Sequence, residues 1–546
     1  MANIKFSKKV FEKEIGKLDE KMKEKISLFG TPLESITDEE IELEIFPNRP
    51  DLLSYQGFKR SFLAFLGKKI GIKQYKPNPP EKDYYVDINS SVENVRAYTA
   101  CAIVKKLKLD ENKIKELIEI QEKIHTTLGR KRKKIAIGIY PLEKIKLPIT
   151  YKATEPDKIK FIPLEFHKEM SGLEILQKHP TGKEYAPLLA GKAKFPIFID
   201  ANQNILSMPP IINSELTGRI TKKTKEVFIE CSGSDFELLK KTLNIIVTTL
   251  SEMGGTIYQM ELKYSKKQIT PEFKNEKMKI SLDKIKKILG IKIDEKTMKN
   301  CLEKMGHNYS KGEVEFASWR TDIFNEIDLI EDVAIAYGYE NFSSTIPKTS
   351  SIGFENPKEI IKRKISEIFI GLNFLEISNY HLTRKKDQFL KMGFSEKQEK
   401  KFVEIKGSKT DYTILRKDLS HYLLKVFSEN VDEEYPHKIF EIGKAFEEKN
   451  SIIEKERIAA AISPGNFTQV KQILEYFFKM IGKKIELSEP KETPPHFING
   501  RTASIIYNNK EIGFVGEIHP KILKNWKIKM PVALFELTLD EILKNF

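Results

Sequence analysis

Arg320-Thr321-Asp322-Ile323-Phe324-Asn325-Glu326-Ile327-Asp328-Leu329-Ile330-Glu331-Asp332-Val333-Ala334-Ile335-Ala336-Tyr337-Gly338-Tyr339 is an acidic stretch in an otherwise basic chain. At the helical period Asp328, Glu331 and Asp332 share one face, while Ile330, Val333, Ala334 and Tyr337 take the opposite, core-facing side. Asp322, close to the helix start, can cap free N–H groups or turn inward as a further oxygen ligand. Hard oxygen donors in such a cluster suit Mg²⁺ rather than zinc. The same spacing also describes an acidic, solvated first turn that favours the helix dipole, so periodicity leaves both readings open.

Just upstream, Ile280-Ser281-Leu282-Asp283-Lys284-Ile285-Lys286-Lys287-Ile288-Leu289-Gly290 reads as a lysine-rich helix with a glycine stop. Residues 294–305 supply a second helix with Met298, Cys301, Leu302 and Met305 inward. The charged tract 263–277, broken by Pro271, is expected to be a linker. Downstream, Ile361, Ile365, Ile368, Phe369 and Leu372 line a helix, and Glu376-Ile377-Ser378-Asn379-Tyr380 and His437-Lys438-Ile439-Phe440-Glu441-Ile442-Gly443 read as strands. Gly500-Arg501-Thr502-Ala503-Ser504 and Ile512-Gly513-Phe514-Val515-Gly516-Glu517-Ile518-His519-Pro520 are further strand segments near the C-terminus.

Towards the N-terminus, Phe11, Ile15, Leu18 and Met22 predict one amphipathic helix. Ile41-Glu42-Leu43-Glu44-Ile45 alternates as a strand and runs into Phe46-Pro47-Asn48-Arg49-Pro50-Asp51-Leu52-Leu53-Ser54, where the prolines fix a turn and Asp51 or Ser54 can cap the helix carrying Phe58, Phe62 and Phe65. Pro77, Pro79 and Pro80 mark a domain boundary. Beyond it lie the helical Gln121-Glu122-Lys123-Ile124-His125, the basic turn Gly129-Arg130-Lys131-Arg132-Lys133-Lys134, then Ile205-Leu206-Ser207-Met208-Pro209-Pro210-Ile211-Ile212-Asn213-Ser214-Glu215 and Phe228-Ile229-Glu230-Cys231-Ser232-Gly233-Ser234-Asp235. The basic turn can contact RNA phosphates or be merely solvated. Asn213 and Ser214 can form a turn or helix cap, and Asp235 can cap the helix that follows it.

Taken in order, these segments resemble the beta subunit of phenylalanine-tRNA ligase of the archaeal and eukaryotic type, from the Pro-Asn-Arg-Pro-Asp-Leu-Leu-Ser octet to the closing strands. The resemblance implies an α+β multidomain chain: an N-terminal α/β domain (1–78), an editing domain (84–263), a small helical and stranded central domain (275–348) and an inactive class II synthetase-like antiparallel-sheet domain (352–546). It implies a Mg²⁺ ligand set of Asp322, Asp328, Glu331 and Asp332, shared with the partner, and ATP used by the complex. A pocket for phenylalanine rejects an added hydroxyl by only about 10²-fold, which is the physical need for a second, hydrolytic site. Leu206, Asn213, Ser214 and Asp235 are the candidates for that editing site, the polar three for the phenolic hydroxyl or a water and Leu206 as an apolar wall. The family works as a heterotetramer of two alpha and two beta subunits acting on tRNA(Phe), with adenylation in the alpha subunit.

An active class II site needs an arginine for the ATP α-phosphate and a glycine-rich strand ending in arginine. Arg416 occupies a plausible position for the first, but Gly513-Phe514-Val515-Gly516-Glu517 ends in Glu, so the C-terminal domain is expected to be catalytically dead. His125, His179, His437 and His519 read as capping or structural, and neither a zinc-protease motif nor a nucleophile elbow is present.

Composition fits this picture. A 546-residue chain calls for several cores, and 40% hydrophobic with 31% charged residues is ordinary for a soluble globular protein. The net charge of +15 suits a polyanionic partner such as RNA. Cys101, Cys231 and Cys301 are too widely spaced for a disulfide framework or a cysteine zinc site. Without a signal-like apolar segment or a membrane-spanning run, a cytoplasmic protein is expected. The rival reading is a non-enzymatic RNA-binding or scaffold protein built from the same modules.

Overall fold

The computed structural model describes residues 2–349, 351–395 and 402–543, and the chain divides into two compact units near residue 346. Residues 396–401 and 544–546 of the expected synthetase-like span lie outside the described residues.

The first unit begins with a three-stranded antiparallel sheet in the order Ala2–Ser7, Glu40–Ile45, Leu33–Ile36. Alternation in Glu40–Ile45 sends Ile41, Leu43 and Ile45 into the core, where Phe11, Phe58 and Phe62 meet them. The single amphipathic helix expected over residues 11–22 is instead two, Lys8–Glu14 and Glu20–Leu28. The break falls at Gly16, whose φ of 147° a side chain rarely adopts, and Asp19 starts the second helix by accepting from the Met22 amide. Ser54, rather than Asp51, caps helix Tyr55–Phe65.

A larger mixed sheet follows. Along it the strands run Ile212–Asn213, Ile205–Met208, Phe195–Ile199, Ile149–Thr154, Tyr85–Ile88, Thr256–Lys263, Tyr98–Lys105, Val227–Gly233 and Ile135–Pro141. The near-continuous apolar runs Tyr98–Lys105 and Val227–Gly233 belong to its interior, and helix Phe236–Glu252 packs across them through Leu239, Leu243 and Ile246. The tract expected to be a linker is not one: Lys267–Thr270 turns back as a hairpin against Thr256–Lys263, and Glu276–Lys279 pairs with Glu313–Phe316. Both segments are edge strands, which keep charged side chains in water and so share the composition of a loop. Glu276–Lys279 also opens a small three-stranded sheet with helices Leu282–Leu289 and Glu295–Lys304, whose buried Ile285, Met298, Cys301 and Leu302 meet Leu329, Ile330 and Val333 of helix Glu326–Tyr337.

The second unit is a seven-stranded sheet among the described residues, in the order Leu375–Glu376, His437–Glu448, Ile452–Ser463, Ala533–Thr538, Lys510–Ile518, Phe497–Tyr507, Glu486–Ser488, antiparallel except at its first pair. Successive residues of Ile452–Ser463 serve opposite faces. Ile458, Ala460 and Ile462 join helices Pro357–Gly371 and Phe467–Met480, while Ala459 and Ala461 join helix Ser420–Glu429.

Candidate functional site

Helix Glu326–Tyr337 starts one turn later than Asp322, which therefore does not cap it. The start is a capping box: Asn325 is the cap, and Asp328 Oδ2 accepts from the amides of Phe324 and Asn325, both at 2.7 Å. Asp322 is gripped by Arg320, Nε to Oδ1 at 2.8 Å and Nη2 to Oδ2 at 2.7 Å. The same Nη2 reaches Asp332 Oδ2 at 2.8 Å, and His307 Nε2 lies 2.7 Å from that oxygen. Arg320, His307 and Asp332 are all buried. Although burial alone would raise it, the Asp332 carboxyl is held well below the usual range by Arg320 and His307.

All four acidic residues line one cavity of about 450 Å³, together with Asn48 and Arg49 from the Pro-Asn-Arg-Pro turn. Arg49 is itself clamped to buried Asp51, Nε to Oδ1 at 2.9 Å and Nη2 to Oδ2 at 2.8 Å. Glu331 is the open member. Burial and the neighbouring Asp332, Asp328 and Asp322 push its carboxyl above the usual range, a repulsion that a hard cation relieves. The donor chemistry thus fits Mg²⁺, but Asp322 and Asp332 are already engaged by Arg320, and no three His, Cys, Asp or Glu side chains converge on one point among the described residues.

A second, smaller cavity of about 200 Å³ sits in the large sheet, lined by Glu122, His125, Arg132, His179, Ser207, Asn213 and Glu230 among others. Ser207 and Asn213 are cross-strand partners. Glu230 lies opposite Gly138, and a Cβ at that glycine would fall 2.6 Å from Glu230 Oε1 and 2.1 Å from the Tyr140 hydroxyl. The missing side chain makes the room. Tyr140 donates to Glu230 Oε1 or to Asn213 Oδ1, each at 3.3 Å, while Glu230 Oε2 is buried and has no hydrogen-bond partner among the described residues. Burial pushes the Glu230 carboxyl up to about 8, against the pull of Arg96 and Tyr140, so at neutral pH it holds its proton.

His125 is a positioning group. Its Nε2 accepts from the Ile137 amide at 2.8 Å, which leaves Nδ1–H for Glu122 Oε1 at 3.1 Å. Arg132 leaves the basic turn, where Arg130, Lys131 and Arg132 all have positive φ, and donates to Ile211 O at 2.7 Å and Glu122 Oε1 at 3.0 Å.

Of the four sequence candidates for this site, Asn213 reaches the cavity. Leu206 is fully buried in the core beside it, and the buried Ser214 sends its amide to Leu206 O at 2.8 Å. Asp235 does not join them: its Oδ1 accepts from Leu238 N at 3.1 Å as the cap of helix Phe236–Glu252. Sequence reasoning passed over Glu230, whose one signal is a lone acid inside the apolar strand Val227–Gly233.

In the second unit Arg416 is fully buried, with Nη1 at 2.5 Å from Glu441 Oε1 and 3.3 Å from Asn379 O, and Nε donating to Lys444 O at 2.7 Å. Two of its three nitrogens are thus committed to partners inside the unit. Glu517, at the end of the glycine-bearing strand, pairs with Arg501 at 2.8 Å.

Residues 278–339, which contain the acidic helix, match the tRNA synthetase B5 domain, and residues 343–539 match the phenylalanyl tRNA synthetase beta chain CLM domain. These domains place the chain in the class of aminoacyl-tRNA ligase subunits. The beta subunit of phenylalanine–tRNA ligase from Pyrococcus abyssi is 38% identical over 504 residues, covering 90% of this chain and 89% of the relative. That from Methanosphaera stadtmanae is 35% identical over 537 residues, covering 95% of each. An N-terminal fragment of the phenylalanyl-tRNA synthetase beta subunit from Pyrococcus horikoshii superposes with a TM-score of 0.59 at 36% identity, covering 62% of this chain and 99% of the fragment. The chain belongs to the phenylalanine–tRNA ligase beta-subunit family and is part of an aminoacyl-tRNA ligase complex.

Proposed function

We propose that this beta subunit pairs with an alpha subunit, two of each, that adenylates phenylalanine with ATP and attaches it to tRNA(Phe), while the chain described here hydrolyses mischarged tyrosyl-tRNA. The proposed division is an N-terminal domain (1–78), an editing domain (84–263), a central domain (275–348) and an inactive synthetase-like domain (352–546). Arg416, withdrawn into an internal ion pair with Glu441, supports the inactivity of the last. A basic chain with no described helix long and apolar enough to cross a membrane is compatible with a cytoplasmic partner of tRNA.

The observation that carries the editing reading is the Glu230 cavity. A protonated, buried carboxyl with an unsatisfied oxygen, beside Tyr140 and Asn213, is a polar group enclosed by apolar strands. A tyrosyl side chain brings a hydroxyl that satisfies Glu230 Oε2, and a phenylalanyl side chain leaves it unpaired, a difference that favours the tyrosyl group. Leu206 and Ser214 fix the position of Asn213, and Asp235 anchors the long helix behind the sheet.

For Mg²⁺, Glu331 and Asp328 are the donors we assign to direct contact, with Asp322 and Asp332 contributing charge through the Arg320 network; the bound ion would supply a hard, divalent counter-charge at the acidic face. Co-expression with an alpha subunit of the family tests the subunit reading. A stable complex that charges tRNA(Phe), where neither chain alone does, is expected; absence of both complex and charging would overturn it.

A further inference from the structure

A further hollow of the first unit shares Arg49 with the acidic cavity. It is a cavity of about 490 Å³ where helix Tyr55–Phe65 approaches Trp319, and six cationic side chains face it against three acidic ones: Arg49, Arg60, Arg320, Lys59, Lys69 and Lys73 against Glu14, Asp51 and Glu252. Most of these charges are matched. Arg49 and Arg320 grip Asp51 and Asp322 through Nε and Nη2, the side edge of the guanidinium fork. Lys59 pairs with Glu14 at 3.0 Å, and Lys73 with Glu252 at 2.5 Å.

Arg60 differs. Its guanidinium lies over the Trp319 ring at 4.5 Å, and Nη1 donates to the Tyr75 hydroxyl at 3.2 Å. Its Nε and Nη2 are shut off from water and have no acceptor among the described residues. Those two atoms form the same edge that Arg49 and Arg320 close on a carboxylate, so Arg60 lacks the oxyanion partner that its two neighbours hold. Buried fork donors without a partner are rare, because water cannot replace the missing acceptor. Leu63, Ile70, Met305 and Ala317 give the cavity apolar walls, which suit the body of a small molecule more than a bare inorganic ion.

We propose that this cavity binds a small organic oxyanion, a carboxylate or a phosphate monoester on an apolar body, held by the Arg60 fork with Lys69 adding charge. Recognition rests on the planar fork, so lysine cannot replace it fully.

The test is isothermal titration of the full chain with phenyl phosphate, benzoate and inorganic phosphate, with Trp319 fluorescence followed in parallel. Saturable one-to-one binding of phenyl phosphate or benzoate is expected, tighter than that of inorganic phosphate. Arg60→Gln should weaken it at least tenfold and Lys69→Ala by a smaller factor, and the fluorescence response should vanish in Trp319→Phe. Should Arg60→Gln fail to fold, Arg60→Lys and Lys69→Ala carry the same test. Preference for the phosphate or for the carboxylate identifies the headgroup, and either supports the proposal. No saturable binding, or equal affinity in wild type and these variants, overturns it.

Discussion

Two carboxylate sites of the first unit are built on opposite electrostatic plans. Asp332 is buried beside a fixed guanidinium, and Arg320 keeps it ionised. Glu230 is buried with no ion pair among the described residues, and desolvation keeps it protonated. The first arrangement consumes its own charge and stiffens the join between the acidic helix and the strands before it. The second leaves a buried oxygen with no partner among the described residues, a state that calls for an explanation. A carboxylate with a tailored counter-ion is therefore weaker evidence for a ligand than a neutral, orphaned one lining a cavity.

The largest effect that bears on this contrast is expected from Arg320→Ala. It strands the buried Asp332 and the partly buried Asp322, and removal of one partner of a buried ion pair costs about 3–5 kcal/mol; a urea midpoint shift of that order is expected, and a shift within error of wild type would show the pair to be expendable. The second concerns pH. Because the folded-state value of Glu230 is raised from 4.5 to about 8, the native chain binds the proton more tightly than the unfolded chain does, and stability falls as the pH rises through that window. Glu230→Gln, which is neutral throughout, should remove this limb, whose slope is at most about 1.4 kcal/mol per pH unit. Urea curves at several pH values read it directly, and an unchanged pH slope would mean that Glu230 is ionised. The smallest effect is at Asp235: loss of a helix cap in Asp235→Ala should cost about 1 kcal/mol with tyrosyl-tRNA hydrolysis intact. A selective loss of hydrolysis would return Asp235 to the editing site.

What the sequence disclosed about these places follows from the range of the interactions involved. Ser54 and Asp294 act within a turn of their own position, each accepting from an amide three residues on, so these helix starts are readable locally. The reach from Arg320 to Asp332 spans a helix start, and its partner His307 comes from the turn after helix Glu295–Lys304, so the acidic pattern showed charge and hid the counter-ion. Glu230 was less legible still. Its role depends on Gly138 and Tyr140 in one neighbouring strand and Asn213 at the far edge of the sheet, none of which periodicity can bring together. The two-helix start of the chain turned on one glycine, and the misjudged linker on edge strands whose charges look like those of a loop.

The most direct test of the account is hydrolysis of tyrosyl-tRNA(Phe) by the alpha-beta complex carrying Glu230→Ala, with Glu230→Gln alongside as a folded, neutral isostere. We expect Glu230→Ala to lose at least tenfold in tyrosyl-tRNA hydrolysis while phenylalanine charging persists, and Glu230→Gln to retain more of it. Hydrolysis at the wild-type rate in Glu230→Ala would contradict the assignment of this cavity as the editing site.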